Sequence, residues 1–449
     1  MSANSTLQQT KKHRTTETEK VSSLQRFGGL VIFGIVLIAY TIQTELAQEV
    51  QRSYEKPYFL LYLTHSGYIV LFPLHLIVLK IALKTPSIWD LLSQLRLTIV
   101  YQLILEDHLH SVNTQLELGS AERKREFQDL LFSISLNNKI FYLRFLKKCL
   151  LLTIFIAVPS ICWYSAVPLT DMTSITSIFN TNAFFAYVLA VCFLKTERFQ
   201  AKNTVAVIFA ILGVMMVSFN SHSSSGDGQI AKKNGKFRIA GVGLAFLASL
   251  SFGAYEVWYK SQIALPTASS VTEQLGLNPS ASAGELEVDE LLDSEGETDV
   301  EDGNESFCFP NSTGSGIKFP YIPPRIVLLH ANLVTNLIGI FTITLLWIPI
   351  PLIHWLKWEI FELPPNSTVT AMICGVILMG IVFNAGFMIL IGLWGPVIAS
   401  LGNLCTLVLV AMFEIIFVPE SHLTIGVALG CLMIILAFSV LILDIVTNS

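Results

Sequence analysis

The sequence predicts an all-α polytopic membrane protein whose ten transmembrane helices form two inverted five-helix repeats. Three observations carry that prediction. Ten apolar runs have bilayer-spanning length, the composition is 53% hydrophobic against 14% charged, and a set of polar residues recurs at one offset between the two halves. The runs fall at 27–46, 58–83, 149–167, 172–194, 203–220, 238–262, 325–348, 368–391, 395–418 and 423–445. A helix rises about 1.5 Å per residue, so roughly 20 apolar residues cross a hydrocarbon core of about 30 Å. Lipid offers backbone N–H and C=O groups no partner, so each run must be a helix. A mean hydropathy of +0.61 argues against a soluble helical protein.

The first 26 residues are polar and rich in Ser, Thr and Lys. They read as a cytosolic disordered tail rather than a cleaved signal, because the first apolar run begins late and is of full spanning length. The formal charge of −5 hides a local imbalance. Residues 285–305 hold eleven acidic side chains and no Lys or Arg, so the remainder of the chain stands at +6. The seven cysteines are scattered singly, six of them in apolar runs, and read as small apolar fillers.

With ten spans both termini share one side. The basic residues of that side number twenty, from Lys11 in the tail to Arg325 at the edge of the seventh run, against seven on the other; Lys80 lies within the second run. The excess predicts cytosolic termini, although the cluster from Lys232 to Arg238 falls outside. Two long insertions then become cytosolic. Residues 84–148 mix apolar and charged side chains and predict short amphipathic helices at the membrane face or against the bundle. Residues 263–322, rich in Ser, Pro, Gly and Glu, predict a disordered acidic loop. In it Ser282, Ser294 and Thr298 stand as kinase acceptors, although a solvated tether has the same composition. Of three Asn-x-Ser/Thr sequons, Asn304 and Asn311 become cytosolic and Asn366 lies close to the next span.

The internal repeat rests on Ser177, Asn180 and Glu197, which recur as Ser400, Asn403 and Glu420 at a constant offset of 223 residues. Residues 27–220 and 238–446 are then two copies joined by a linker at 221–237. Five is odd, so the second copy must be inverted, and such repeats commonly frame a midplane site and rock against each other.

A short turn bearing Glu between the fourth and fifth helices of a five-plus-five arrangement resembles the drug/metabolite transporter superfamily. The segment from Glu45-Leu46 through Tyr54-Glu55-Lys56-Pro57-Tyr58-Phe59, with Thr64-His65-Ser66 following, is similar to the F-type branch of solute carrier family 35. The resemblance covers the transmembrane body and neither insertion. It implies a secondary carrier of a small organic metabolite, nucleotide sugars being the best-known cargo of the wider family, in an internal membrane such as vacuole or Golgi, with the plasma membrane as the alternative.

Candidate site residues are polar groups at bilayer depth, where an ionised side chain costs on the order of 2.5–3.5 kcal/mol. Glu256 and Glu414 lie well inside apolar sequence, and Glu45 sits near the end of the first run. Glu256 is flanked by Tyr255, Trp258 and Tyr259, and either titrates with access or pairs with Lys260 four residues on. Asn180, Asn403, Ser177, Ser400, Asn332, Asn336 and Asn384 offer uncharged hydrogen-bonding groups, to a ligand or between helices. Trp163 and Tyr164 could stack on a ring, whereas Trp394 suits an interfacial anchor. Gly426 and Gly430 form a GxxxG, which marks either a homodimer face or packing within one subunit. Glu197 and Glu420 suit turn capping.

Enzyme signatures are absent: no HExxH, P-loop, GxGxxG or GxSxG occurs. Glu106-Asp107-His108-Leu109-His110 lacks a second ligand pair and reads as solvated loop. The expectation is a cofactor-free secondary carrier whose partners are the bilayer and a small molecule, with no nucleic acid. A non-transporting scaffold or receptor acting through the acidic loop is the alternative.

Overall fold

The computed structural model describes residues 28–51, 53–82, 87–114, 138–167, 169, 172–194, 199–221, 235–265, 324–409, 412 and 424–448. Among them every regular element is helical. In chain order these are α1 (Gly28–Gln51), α2 (Pro57–Ser66), α3 (Leu71–Ala82), α4 (Ile88–Thr114), α5 (Asn138–Ala166), α6 (Met172–Phe179) and α7 (Asn182–Phe193). Then come α8 (Ala201–Ser221), α9 (Gly235–Gln262), α10 (Pro324–Leu345), α11 (Pro349–Trp355), α12 (Ser367–Trp394), α13 (Pro396–Asn403) and α14 (Ile425–Asn448).

Six helical segments are long and apolar enough to cross a membrane: α1, the α2–α3 segment, α5, α9, α10 and α12. Shorter apolar helices occupy 177–193, 201–217, 396–409 and 425–440. The outward surface is correspondingly greasy. Ile35 and Ile38 on α1, Val205, Ile208 and Leu212 on α8, and Leu432 and Leu436 on α14 are all exposed. A water-soluble protein would not present so continuous an apolar surface, whereas lipid is a suitable neighbour for it.

Packing rests on small residues, since lipid removes the hydrophobic drive between helices and leaves van der Waals contact in its place. The backbones of α8 and α14 all but touch. A Cβ on Gly430 would stand 2.6 Å from the Gly213 carbonyl oxygen, and one on Gly213 would stand 2.8 Å from that of Gly430. Gly430 therefore packs within the subunit, so this part of the GxxxG is not a free dimer face. On α9, Gly253 meets the Ala186 backbone of α7 in the same way, while on α12 Gly375, Gly380 and Gly386 receive Leu46, Gln43 and Val36 of α1. α5 lies along α9, and α7 also packs on α13.

Two breaks shape the interior. The second apolar run is interrupted by a 3-10 turn, Gly67–Val70, and Gly339 of α10 fits against it, its would-be Cβ only 2.6 Å from the Ile69 nitrogen. The fourth run divides at Asn180-Thr181 into α6 and α7. Gly395, with φ 85°, turns the chain between α12 and α13, a conformation that favours glycine, and Pro396 starts the next helix.

Of the two placements expected for the 84–148 insertion, α4 takes the one against the bundle: it is a single helix of 27 residues, longer than expected, and its stripe of Leu91, Leu95, Ile99 and Leu103 is buried in the main core. Gln102 Nε2 donates to the Ile263 carbonyl at 2.8 Å, tying α4 to the end of α9. α5 begins at Asn138, eleven residues ahead of its apolar run, and Lys148 on it bonds the Glu106 carboxylate of α4 and the Gln262 carbonyl of α9. Glu106 is thus paired, and no metal cluster occurs among the described residues. Asn366 caps α12, accepting from the Val369 N–H at 2.8 Å. Asn304, Asn311, the acidic loop with Ser282, Ser294 and Thr298, the tail, Glu197, Glu414 and Glu420 lie outside the described residues.

Gly430→Ala should lower stability by about 1–3 kcal/mol through overpacking against the Gly213 carbonyl. Gly34→Ala, where no atom lies within 4 Å of a new Cβ, should be neutral. Thermal unfolding of the detergent-purified protein reads both.

Candidate functional site

The chain builds a half-open cavity among α1, α2, α5, α6, α9 and α12, with about 650 Å³ of atom-free space including its mouth. Tyr40, Gln43, Thr44 and Ala47 line it from α1, and His65 and Tyr68 from the second run. α5 contributes Ile156, Pro159, Ser160, Trp163 and Tyr164; Phe179, Phe252, Phe383 and Asn384 close the remaining sides. Pro159 has no N–H to give the Phe155 carbonyl, so the α5 ladder is interrupted where the helix borders the cavity.

Aromatic contacts give the walls their stiffness. Trp163 and Tyr164 meet edge to face at 5.1 Å, Tyr40 tilts against Phe383 at 4.8 Å, and Phe383 stacks on Phe387 at 5.2 Å. The polar groups are uncharged amides, hydroxyls and an imidazole. Asn384 Nδ2 donates to the Tyr68 hydroxyl and to the Gly380 carbonyl. His65 reaches Ser160 Oγ through Nε2 at 3.5 Å and the Leu61 carbonyl through Nδ1 at 3.1 Å. Gln43 Oε1 is buried without a hydrogen-bond partner. The described lining contains no Lys, Arg, Asp or Glu.

One helical turn from Phe252 along α9 lies a second polar region. Glu256 is 0% exposed, its Oε2 meets Ser400 Oγ of α13, and its Oε1 has no hydrogen-bond partner. Asn180 and Asn182 flank the break between α6 and α7, and Asn403 ends α13. All three are buried, and their amide atoms lack hydrogen bonds. Asn403 lies near the Tyr40 hydroxyl, a member of the cavity wall. Thr181 and Ser249 join α9 to the same break at 3.0 Å.

The sequence candidates therefore divide. Trp163, Tyr164 and Asn384 line the cavity. Asn180, Asn403, Ser400 and Glu256 belong to the adjoining buried region, and Ser177 is half-buried on α6. Tyr255 is buried behind Phe252 and donates to Met388 Sδ at 3.0 Å. Asn332 and Asn336 lie outside the cavity lining. Asn332 bonds His75 at 2.7 Å, and Asn336 Nδ2 donates to the Tyr68 and Ile69 carbonyls that the 3-10 turn leaves open. Lys260 donates to the Gly392 carbonyl at 2.7 Å, and Glu256 engages Ser400. Sequence reasoning passed over Tyr40, Gln43, Thr44, Tyr68, Ser160 and Asn182, and quoted His65 only for its resemblance. Their one signal is polarity at bilayer depth.

The Tyr54–Phe59 segment is a clamp between distant parts of the chain. The Glu359 carboxylate accepts from the Tyr58 and Phe59 N–H groups at 2.8 and 2.9 Å, capping α2. Tyr58 donates to the Leu346 carbonyl at 2.7 Å, Tyr54 to that of Glu362, and Phe59 packs edge-on to Phe361. Burial, then the Glu359 and Glu362 carboxylates, pushes the Tyr54 phenol above its ordinary range.

No family model matches the chain, and no curated protein does. One solved structure, described only as the crystal structure of a protein, superposes with a TM-score of 0.45 at 11% identity, covering 93% of this chain and 98% of that one. A likeness of that size assigns neither fold nor function.

Glu359→Ala should cost about 1–2 kcal/mol by removing the cap of α2. Glu362→Ala, which loses only a 3.8 Å contact from an exposed carboxylate to Lys56, should stay within about 0.5 kcal/mol. Thermal unfolding of the two variants side by side distinguishes them.

Proposed function

We propose that the protein is a ten-span secondary transporter of the drug/metabolite transporter type, built as two inverted five-helix repeats and working by alternating access. The spans are α1, α2–α3, α5, α6–α7, α8, α9, α10, α12, α13 with its continuation, and α14. The observation that carries the reading is a half-open cavity inside an apolar bundle, walled by rings and uncharged polar groups.

Helix pairing supports the repeat. Advancing each span by five turns the α1–α12 contact, Val36 on Gly386, into the α9–α5 contact. The contact of α9 with α7, Gly253 on Ala186, becomes that of α1 with α13, Phe33 on Gly402. The pairs α2–α10, α8–α14 and α7–α13 each map onto themselves. Asn180 and Asn403 stand at interruptions of the fourth and ninth spans. With cytosolic termini, as the basic residues favour, the cavity lies toward the non-cytosolic side, because it borders the later half of α1 and the end of α5.

The lining favours a flat aromatic or heteroaromatic solute without net negative charge. Tyr40, Trp163, Tyr164 and Phe252 supply faces for stacking or for a cation, and Gln43, Ser160 and Asn384 supply hydrogen bonds. A nucleotide sugar would bring a pyrophosphate, which calls for Arg or Lys, and the described lining has neither.

The test is counterflow in proteoliposomes, loaded with a pooled metabolite extract and facing the same pool in isotopic form, read by mass spectrometry. Uptake should be saturable and confined to planar, non-anionic solutes. Trp163→Ala should weaken it about fivefold to tenfold, on the order of 1 kcal/mol of lost stacking. Lack of protein-dependent uptake by folded protein would overturn the reading and favour a scaffold; uptake of nucleotide sugars would overturn the cargo class.

A further inference from the structure

The Ser400 hydroxyl has one hydrogen and two oxygen neighbours. Its Oγ lies 2.7 Å from the Pro396 carbonyl, one turn back on α13, and it also meets Glu256 Oε2. A carbonyl can only accept. Both contacts are full two-centre hydrogen bonds at once only if Ser400 donates to Pro396 and the Glu256 carboxyl carries a proton that it donates to Ser400. The rest of the pocket agrees. Glu256 is fully buried and its Oε1 has no partner. An ionised carboxylate there would be both unpaired and half-unsatisfied, whereas a neutral carboxyl leaves only one bare carbonyl oxygen.

Among the described residues the neighbours supply no counter-charge. On α9 itself Tyr255 donates to Met388, and Lys260 points to the Gly392 carbonyl of α12. On α5 Cys149 is buried against Tyr259, and Lys148 is held by Glu106 and Gln262. Tyr187 on α7 is tied to Thr204. Tyr40 of α1 lies beyond Asn403. α6 and α13 carry no titratable side chain among the described residues, and Cys374 of α12 is exposed near the other end of that helix.

We propose that Glu256 is a proton-binding site, and that cargo and proton cross together. This rests on the carrier reading of the preceding section. Phe252, in the cavity wall, and Glu256 lie four residues apart on one face of α9, about 6 Å along its axis. The conformation with an open cavity is also the one in which a protonated Glu256 closes α9 onto α13. Cargo and proton thus favour the same state, and linkage makes each promote binding of the other. When the opposite face opens, α13 leaves α9 and Glu256 meets water. Its O–H bond breaks, the electron pair stays on the carboxylate, and the proton passes to water.

Infrared spectroscopy of the full-length purified protein reads the site without requiring transport. At neutral pH the parent should show a buried protonated-carboxyl C=O band that Glu256→Gln removes and that Ser400→Ala shifts. If Glu256→Gln leaves the carboxyl region unchanged, the site is overturned; the Ser400→Ala shift guards against misfolding of the Gln variant. In proteoliposomes an imposed pH gradient should drive cargo above equilibrium in the parent. Whatever exchange Glu256→Gln retains should ignore the gradient. Parent exchange that also ignores it would overturn coupling and leave the carrier standing. Absence of exchange with the band present would overturn the carrier and keep the proton site.

Discussion

A polar group at bilayer depth has to find its partner inside the protein, and this constraint organises the interior. Breaking the second span with a 3-10 turn opens the Tyr68 and Ile69 carbonyls, and Asn336 arrives from α10 to bond both. Thr41, Thr153 and Thr335 return their hydroxyls to carbonyls one turn back in their own helices. Against that background the unsatisfied groups are conspicuous. Glu256 Oε1 and the amides of Asn180, Asn182 and Asn403 are buried without hydrogen bonds where α7, α9 and α13 converge. Buried polar atoms without partners also occur at Gln43, Gln51 and His330, so the open groups are spread over the interior rather than confined to this junction.

The two ends of the bundle are fastened differently. At the α2 end the fastening joins halves of the chain some 300 residues apart, with Glu359 holding the start of α2 by two backbone N–H groups. At the opposite end Lys148 and Gln102 bind the last turn of α9 to α5 and α4, and Ser400 holds the Glu256 side chain. The cavity lies between these fastenings. Close small-residue seams such as Gly213–Gly430 run alongside, joining helices backbone to backbone.

Apolar runs were legible because a bilayer demands an uninterrupted stretch of them, and helix bounds fell within a few residues for most. The exceptions have physical causes. α5 begins eleven residues early because Asn138–Lys148 is amphipathic, carrying Lys and Arg among apolar side chains that a hydropathy reading discounts. Whether α4 lies on the membrane or against the bundle stays open in the sequence because Leu91, Leu95, Ile99 and Leu103 alternate with Asp90, Gln94 and Arg96, a pattern suited to both. Within the cavity, Trp163, Tyr164 and Asn384 were visible as polar or ring-bearing residues in spans. Tyr40, Gln43 and His65 were not, because one sequence does not tell which face of a helix looks inward. Asn332 and Asn336 carried the same signal as Asn384 and turned out to serve backbone and His75. The role of Tyr54–Phe59 depends on Glu359, which no local pattern connects to it.

Ser160 sits in the cavity wall beside His65, and its exposure to each side of the membrane tests alternating access most directly. A Ser160→Cys protein, with the native cysteines replaced, would be treated from either face with an impermeant thiol reagent, with and without cargo. Alternating access predicts reaction from one face at a time, with cargo shifting the balance between them. Simultaneous reaction from both faces, or from neither under any condition, would contradict it.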